Sequence, residues 1–278
     1  MSQNLQTEFS SITRIIIHCR AFLAACLIAL LFATAHAQTT LRIAAASDLA
    51  PALPPILADF EKQSGIKTQT TYQASATLTT QIRNGAPFDL FLSADLTYPQ
   101  SLIDSHIAPG PKPILYARGN LVLWCPKDSP LAPPTLAQLS NASLKRLAIA
   151  NPERAPYGRA AVAVLNQLHL YDALKPKLVI AENISQTAQF VESGNADAGF
   201  ISLTAALTPQ LKQHGAYFTI PNELYPPIEQ GAVILNSSTQ SNAAQQLLNY
   251  LLSEPIQQRL EAAGLSRAIA SSHGNKAK

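Results

Sequence analysis

Cysteine, charge and long apolar runs are all scarce in this chain, and each shortage removes a class of protein. Three cysteines occur in 278 residues. Cys19 and Cys26 fall in a stretch read below as a leader, so a processed chain would keep Cys125 alone. One thiol cannot make an intrachain disulfide, and the fold must rest on its core. Cys125 ends the apolar run Leu121-Val122-Leu123-Trp124-Cys125, where a thiol is expected to be buried and structural. Charged residues make up 13% of the chain and the formal net charge is +3, too mild for a nucleic-acid or anionic-membrane surface. His106, His169, His214 and His273 are scattered without metal-ligand spacing. No H-E-x-x-H, G-x-S-x-G, phosphate-loop or dinucleotide glycine pattern occurs. No cation site, cofactor or catalytic residue is therefore predicted, although a hydroxyl nucleophile assembled in space would leave no such trace.

The apolar run from Ala21 to Ala33 is shorter than the roughly 20 residues a membrane span needs. Arg14 and Arg20 precede it, and Ala35-His36-Ala37 followed by Gln38 has the form of a signal-peptidase site. Residues 1–37 are read as a signal peptide cleaved between Ala37 and Gln38, which places the mature chain in the periplasm. Lipidation at Cys26, in Leu23-Ala24-Ala25-Cys26, and an uncleaved anchor are the alternatives. Losing Glu8, Arg14 and Arg20 with the leader leaves a net charge of +2.

What is present is a repeated local grammar. Leu41 to Ala46 reads as a strand, and Leu53, Ile56, Leu57 and Phe60 follow helical spacing up to Gly65. Ile66 to Tyr72 is a second strand rich in β-branched residues. A short helix follows from Ser75 to Gly85, and Phe88 to Leu92 is a third strand. Strand and helix alternate, which favours a mainly parallel sheet covered by helices, with ligands at the carboxyl ends of its strands. Ser47, Ser75 and Ser93 all lie just past strands, on that edge. Ile114 to Cys125 reads as a crossing to a second lobe, broken at Arg118-Gly119-Asn120. There Leu147–Ala150, Leu178–Ala181 and Ala198–Ile201 are strands, with helices opening after Asn151–Gly158 and at Asn183-Ile184-Ser185. Past Pro221 the chain returns, with a strand at Gly231–Leu235, helices at Ala243–Leu252 and Pro255–Ala263, and a polar tail from Ser271 that is expected to be disordered.

Four motifs carry a resemblance over about Leu41 to Leu265. They are Ala44-Ala45-Ala46-Ser47-Asp48-Leu49, Ala74-Ser75-Ala76-Thr77-Leu78, Asn84–Asp95 (Asn-Gly-Ala-Pro-Phe-Asp-Leu-Phe-Leu-Ser-Ala-Asp) and Asn151–Gly158 (Asn-Pro-Glu-Arg-Ala-Pro-Tyr-Gly). In this order they resemble the periplasmic molybdate-binding proteins of ABC importers. The resemblance implies an α/β fold of two lobes, each a mainly parallel sheet flanked by helices, joined by two crossing segments and closing on a tetrahedral oxyanion. Residues 38–117 and 224–278 would form the first lobe and 118–223 the second. Neutral donors would hold the anion: Ser47 and Ser75 through hydroxyl and amide, Tyr157, and Ile184 through its amide. The Asp48 backbone NH, Ala76 and Ser202 are further candidates. Ser202 stands near the place of a tyrosine found in another branch, whose phenol Tyr157 would replace here. The ligand would be molybdate or tungstate, with no cofactor, and a membrane permease would be the partner of a monomeric receptor. A receptor for sulfate or another oxyanion, and a secreted two-lobe enzyme, are the competing readings.

Each candidate also has a plain structural role. Ser47 and Ser75 could be helix N-caps. The Asp48 carboxylate would repel an anion and is expected to turn away. Asp89 and Asp95 are read as loop-bracing or capping residues, and Arg154 and Arg159 as solvated turn residues.

Overall fold

A computed structural model describes residues 40–268; the expected leader and the polar tail lie outside the described residues. The chain runs β1 (Thr40–Ala46), α1 (Leu53–Ser64), β2 (Lys67–Gln73), α2 (Ser75–Arg83), β3 (Leu90–Leu92), α3 (Thr97–Asp104) and β4 (Ile114–Gly119). It continues with β5 (Leu121–Pro126), β6 (Leu147–Ala150), α4 (Pro156–Gln167), α5 (Tyr171–Leu174), β7 (Leu178–Ala181), α6 (Ile184–Glu192), β8 (Ala198–Ser202), α7 (Leu203–Ala206), α8 (Pro209–His214) and β9 (Gly215–Thr219). It closes with β10 (Ile228–Ile234), α9 (Ser241–Leu251), α10 (Glu254–Ala262) and β11 (Ser266–Arg267).

Two sheets result. The first has the order β11-β4-β10-β3-β1-β2 and the second β7-β6-β8-β5-β9. Pairing is parallel where a helix connects neighbours, as in β2-β1-β3 and β7-β6-β8. The mainly parallel sheets expected from the sequence are in fact mixed. β10 runs antiparallel to β3 and β4, and β5 runs antiparallel to β8 and β9. These are strands that carry the chain between the lobes, and they enter each sheet without a βαβ crossover to set their direction.

Alternation in β1 sends Leu41 and Ile43 to one face, against Leu53, Ile56 and Phe60 of α1 and Leu247 and Leu251 of α9. Ala44 goes to the other face, with Leu78, Ile82 and Leu102 from α2 and α3. Gly65 ends α1 in the left-handed conformation, as its position suggested. The second sheet is also covered on both faces. Leu121, Leu123 and Cys125 point towards Val164 and Leu165 of α4, whereas Val122 and Trp124 point towards Val191 and Leu211. Cys125 is buried, and burial pushes its thiol up to about 11, so it is an inert core group.

The chain passes from the first sheet to the second through Asn120 alone, between Gly119 and Leu121. The Asn120 side chain donates to the Gly264 carbonyl at 2.9 Å, and its backbone carbonyl accepts from the Leu203 amide at 2.9 Å. The joint is therefore tied to both lobes.

Candidate anion-binding site

The strand ends of both sheets meet in a small cavity lined by Ala46, Ser47, Asp48, Gln73, Ala74, Ser75, Ala94, Ala155, Pro156, Tyr157 and Ile184. Ser47, Asp48 and Ser75 come from the first lobe and Tyr157 and Ile184 from the second. Five sequence candidates are thus brought to one point. The cavity measures about 10 Å³. A larger groove of about 1030 Å³ lies between α3 and β4 and contains none of the candidates.

Neither serine is an N-cap. Ala46 and Ala74 hold those positions, with no side-chain cap, and Ser47 and Ser75 are the first residues inside their turns. The Ser75 hydroxyl oxygen accepts the Ala94 amide at 3.0 Å. That bond fixes the oxygen and leaves its own proton to donate elsewhere. In the second lobe, Pro156 opens α4 and Tyr157 follows, so the Tyr157 amide belongs to the first turn, where an α-helix supplies no acceptor. Asn183 caps α6 by accepting the Gln186 amide at 3.0 Å, which leaves the Ile184 amide at the helix start.

The Tyr157 phenol has a different task from the one expected. It donates to Asp48 Oδ2 at 3.0 Å instead of reaching towards an anion. It also packs against Gly119, where a Cβ would stand 2.2 Å from the hydroxyl oxygen. Asp48 is 1% exposed, and the same Oδ2 accepts from Gln230 Nε2. The carboxylate is therefore held by two donors, as its charge required. Asp48 Oδ1 and Gln230 Oε1 are buried without a partner among the described residues. Burial pushes the Asp48 carboxyl up to about 6, against the opposing pull of the Gln230 and Tyr157 hydrogen bonds. Burial, and then the nearby Asp48 charge, push the Tyr116 and Tyr157 phenols well above the usual range.

Two candidates are corrected. The Ala76 amide donates across the cleft to the Arg154 carbonyl at 3.2 Å, so it is spent on closing the lobes. The Ser202 oxygen caps α7 by accepting the Ala205 amide at 3.3 Å. The hydroxyl of the last β8 residue serves as the cap there, while Ser47 and Ser75 cap no helix. Arg159 is also more than a solvated turn residue. It pairs with Asp95 of the first lobe, and its guanidinium lies 5.5 Å from the Tyr98 ring centre. Arg154 pairs with Glu182 in an exposed bridge. Asp89 braces a loop as expected, accepting the Arg42 amide and the Ser238 hydroxyl, each at 2.8 Å. Asp95 accepts the Tyr98 amide at 3.1 Å in the first turn of α3. Sequence reasoning missed Gln230, Ser185 and Thr204. Gln230 is buried where the β10–β4 register shifts, between Gln230 and Gly231, and no local pattern announces it.

Two helix-covered sheets whose strand ends present hydroxyls and amides to a shared cleft define a two-lobe solute-binding protein. Residues 41–266 match the model of the bacterial extracellular solute-binding proteins, and the chain belongs to that family. It is 38% identical over 234 residues to a molybdate-binding protein ModA of Azotobacter vinelandii, covering 84% of this chain and 92% of the relative. With the ModA of Rhodobacter capsulatus it shares 35% over 192 residues, covering 69% and 74%. The solved Azotobacter vinelandii periplasmic molybdate-binding protein superposes with a TM-score of 0.76 at 31% identity, covering 81% of this chain and 98% of that one.

Proposed function

We propose that this protein captures molybdate in the cleft between its lobes, outside the inner membrane, and delivers it to an ABC permease. The observation that carries this reading is the lining of the cavity. Ser47, Ser75, Tyr157 and Ile184 bring hydroxyls and helix-start amides from both lobes, and no cationic side chain is among the lining residues. Ser47 and Ser75 donate through hydroxyl and amide, Tyr157 and Ile184 through their amides, and the Asp48 amide is a further donor. A doubly charged tetrahedral ion accepts many hydrogen bonds and repels acceptors, so a lining of donors suits it. Neutral dipoles also allow release, because no single ion pair must be broken. The relatives named for molybdate support this ion over sulfate. Tungstate, similar in size and charge, is expected to compete. The leader at 1–37 and the division into 38–117 with 224–278 and 118–223 belong to the same reading.

Calorimetric titration with molybdate, tungstate, sulfate and phosphate tests it. Molybdate and tungstate should bind with comparable affinity and sulfate much more weakly. A wrong-sized ion leaves fixed donors unsatisfied, at about 1–3 kcal/mol each. Sulfate binding as tightly as molybdate would refute the size selection, and no heat with molybdate would refute the function. Ser75→Ala should weaken molybdate about ten-fold, the scale of one hydrogen bond to a charged group, and should also lower the melting temperature, because the buried Ala94 amide loses its acceptor at a cost of about 1–3 kcal/mol. Unaltered affinity would remove Ser75 from the site.

A further inference from the structure

The turn that carries Ser47 and Asp48 is gripped by three hydroxyls of the opposite lobe. The Ser185 hydroxyl donates to the Ser47 carbonyl at 2.7 Å. The Thr204 hydroxyl donates to the Asp48 carbonyl at 2.7 Å. The Tyr157 phenol donates to the Asp48 carboxylate. Each donor is the second residue of its helix, α6, α7 and α4 respectively. Thr204 is 2% exposed, and its oxygen lies 2.9 Å from that of Ser202. With the Thr204 proton committed to Asp48, the Ser202 hydroxyl is free to donate to Thr204, which extends the chain into the second lobe.

We infer that Ser185 and Thr204 are positioning residues that clasp the closed clamp and aim its first-lobe donors. The peptide group explains the aiming. In a planar trans peptide the carbonyl and the amide hydrogen point in opposite directions. Drawing the Ser47 carbonyl towards Ser185 therefore turns the Asp48 amide the other way. The Thr204 bond fixes the next peptide, so the turn is pinned at two successive planes. Opening the lobes breaks all three bonds and hands these acceptors to water. The closed state is thus held by the protein as well as by any ion inside it, and the rate of release depends on hydroxyls that never touch the ion. This rests on the oxyanion reading of the cavity for its kinetic consequence but not for the clasp.

The test uses the whole chain with a fluorophore pair, one on each lobe, and the variants Thr204→Val, Thr204→Ser and Ser185→Ala. Without any ion, Thr204→Val and Ser185→Ala should shift the interlobe distance distribution towards open forms, and Thr204→Ser should restore the parent distribution. Stopped-flow with molybdate should show dissociation about five-fold faster for each lost hydroxyl, the scale of one neutral hydrogen bond, with association unchanged or faster as the open fraction grows. Distance distributions unaltered in Thr204→Val and Ser185→Ala would overturn the clasp. Failure of every form, parent included, to bind molybdate would overturn the function proposed above and leave the distance measurement to decide the clasp.

Discussion

Asparagine in place of Asp48 is expected to raise stability at pH 8 by about 3 kcal/mol and to flatten its pH dependence between about pH 4 and 6. The carboxyl is buried, one of its oxygens has no partner among the described residues, and its pKa is pushed from 3.8 to about 6. The folded chain therefore holds this proton more tightly than the unfolded chain. Below about pH 4 both states are protonated and the group's full contribution is present. Between about 4 and 6 the unfolded chain ionises first and stability falls. Above about 6 both are ionised and the loss is complete, at roughly 1.4 kcal/mol for each tenfold difference in proton affinity between the two states. Asparagine keeps one oxygen for both donors, the Tyr157 phenol and the Gln230 side-chain amide, and carries no charge to bury. Glu61, which Thr68 holds below its usual range, acts in the opposite sense at lower pH, but it is common to both proteins and cancels in the comparison. Urea unfolding from pH 4 to 8 decides the matter. A parent curve that falls with pH beside a flat variant curve is expected, and parallel curves would show that the carboxylate is not strained.

Gly158→Ala should be the most damaging single methyl in the site. A Cβ at Gly158 would stand 2.2 Å from the Ala150 carbonyl oxygen and 2.8 Å from the carbonyl carbons of Ala150 and Asn151. These are backbone atoms of β6 and the turn after it, so no side-chain rotation relieves the clash. The start of α4 must lift from the sheet, at a cost of about 3 kcal/mol or more. The Tyr157 amide and phenol move with it, so molybdate affinity should fall by more than ten-fold where the protein still folds. A reduced urea midpoint with an unchanged slope would show lost stability with the same folded state otherwise. Parent-like midpoint and affinity would mean that α4 has room that the close approach denies.

The helices and strands that follow a clean period are legible in the sequence. In α1 the spacing of Leu53, Ile56, Leu57 and Phe60 and the left-handed Gly65 are local signals, and the structure bears out each. α3 leaves only the capping signal at Asp95, which accepts the Tyr98 amide, because two turns are too short for a clear apolar period. β9 escapes because it is an edge strand with Tyr217 exposed, which blurs its alternation. The site divides along the same line. Ser47 and Ser75 stand out because a hydroxyl directly after a strand is a local pattern. The partners of Asp48 do not, since Tyr157 and Gln230 lie 109 and 182 residues away. Local chemistry marks where donors begin, and the lobe-to-lobe bonds that aim them exist only in the closed fold.

The position of β10 has a consequence for the order in which the chain can become structured. In the first sheet β10 lies between β4 and β3, although it is made from Ile228–Ile234. The second sheet draws all five of its strands from the continuous stretch Leu121–Thr219. A chain emerging N-terminus first, from a ribosome or a translocation channel, can therefore complete its second sheet while the first still lacks a central strand. Residues 40–119 must wait for more than a hundred others before their edges at β3 and β4 are joined, a long-range pairing of the slow kind. Early on, the Ser47 turn would be ready to meet a second lobe that already had its shape, and the half of the protein made first would be the half finished last.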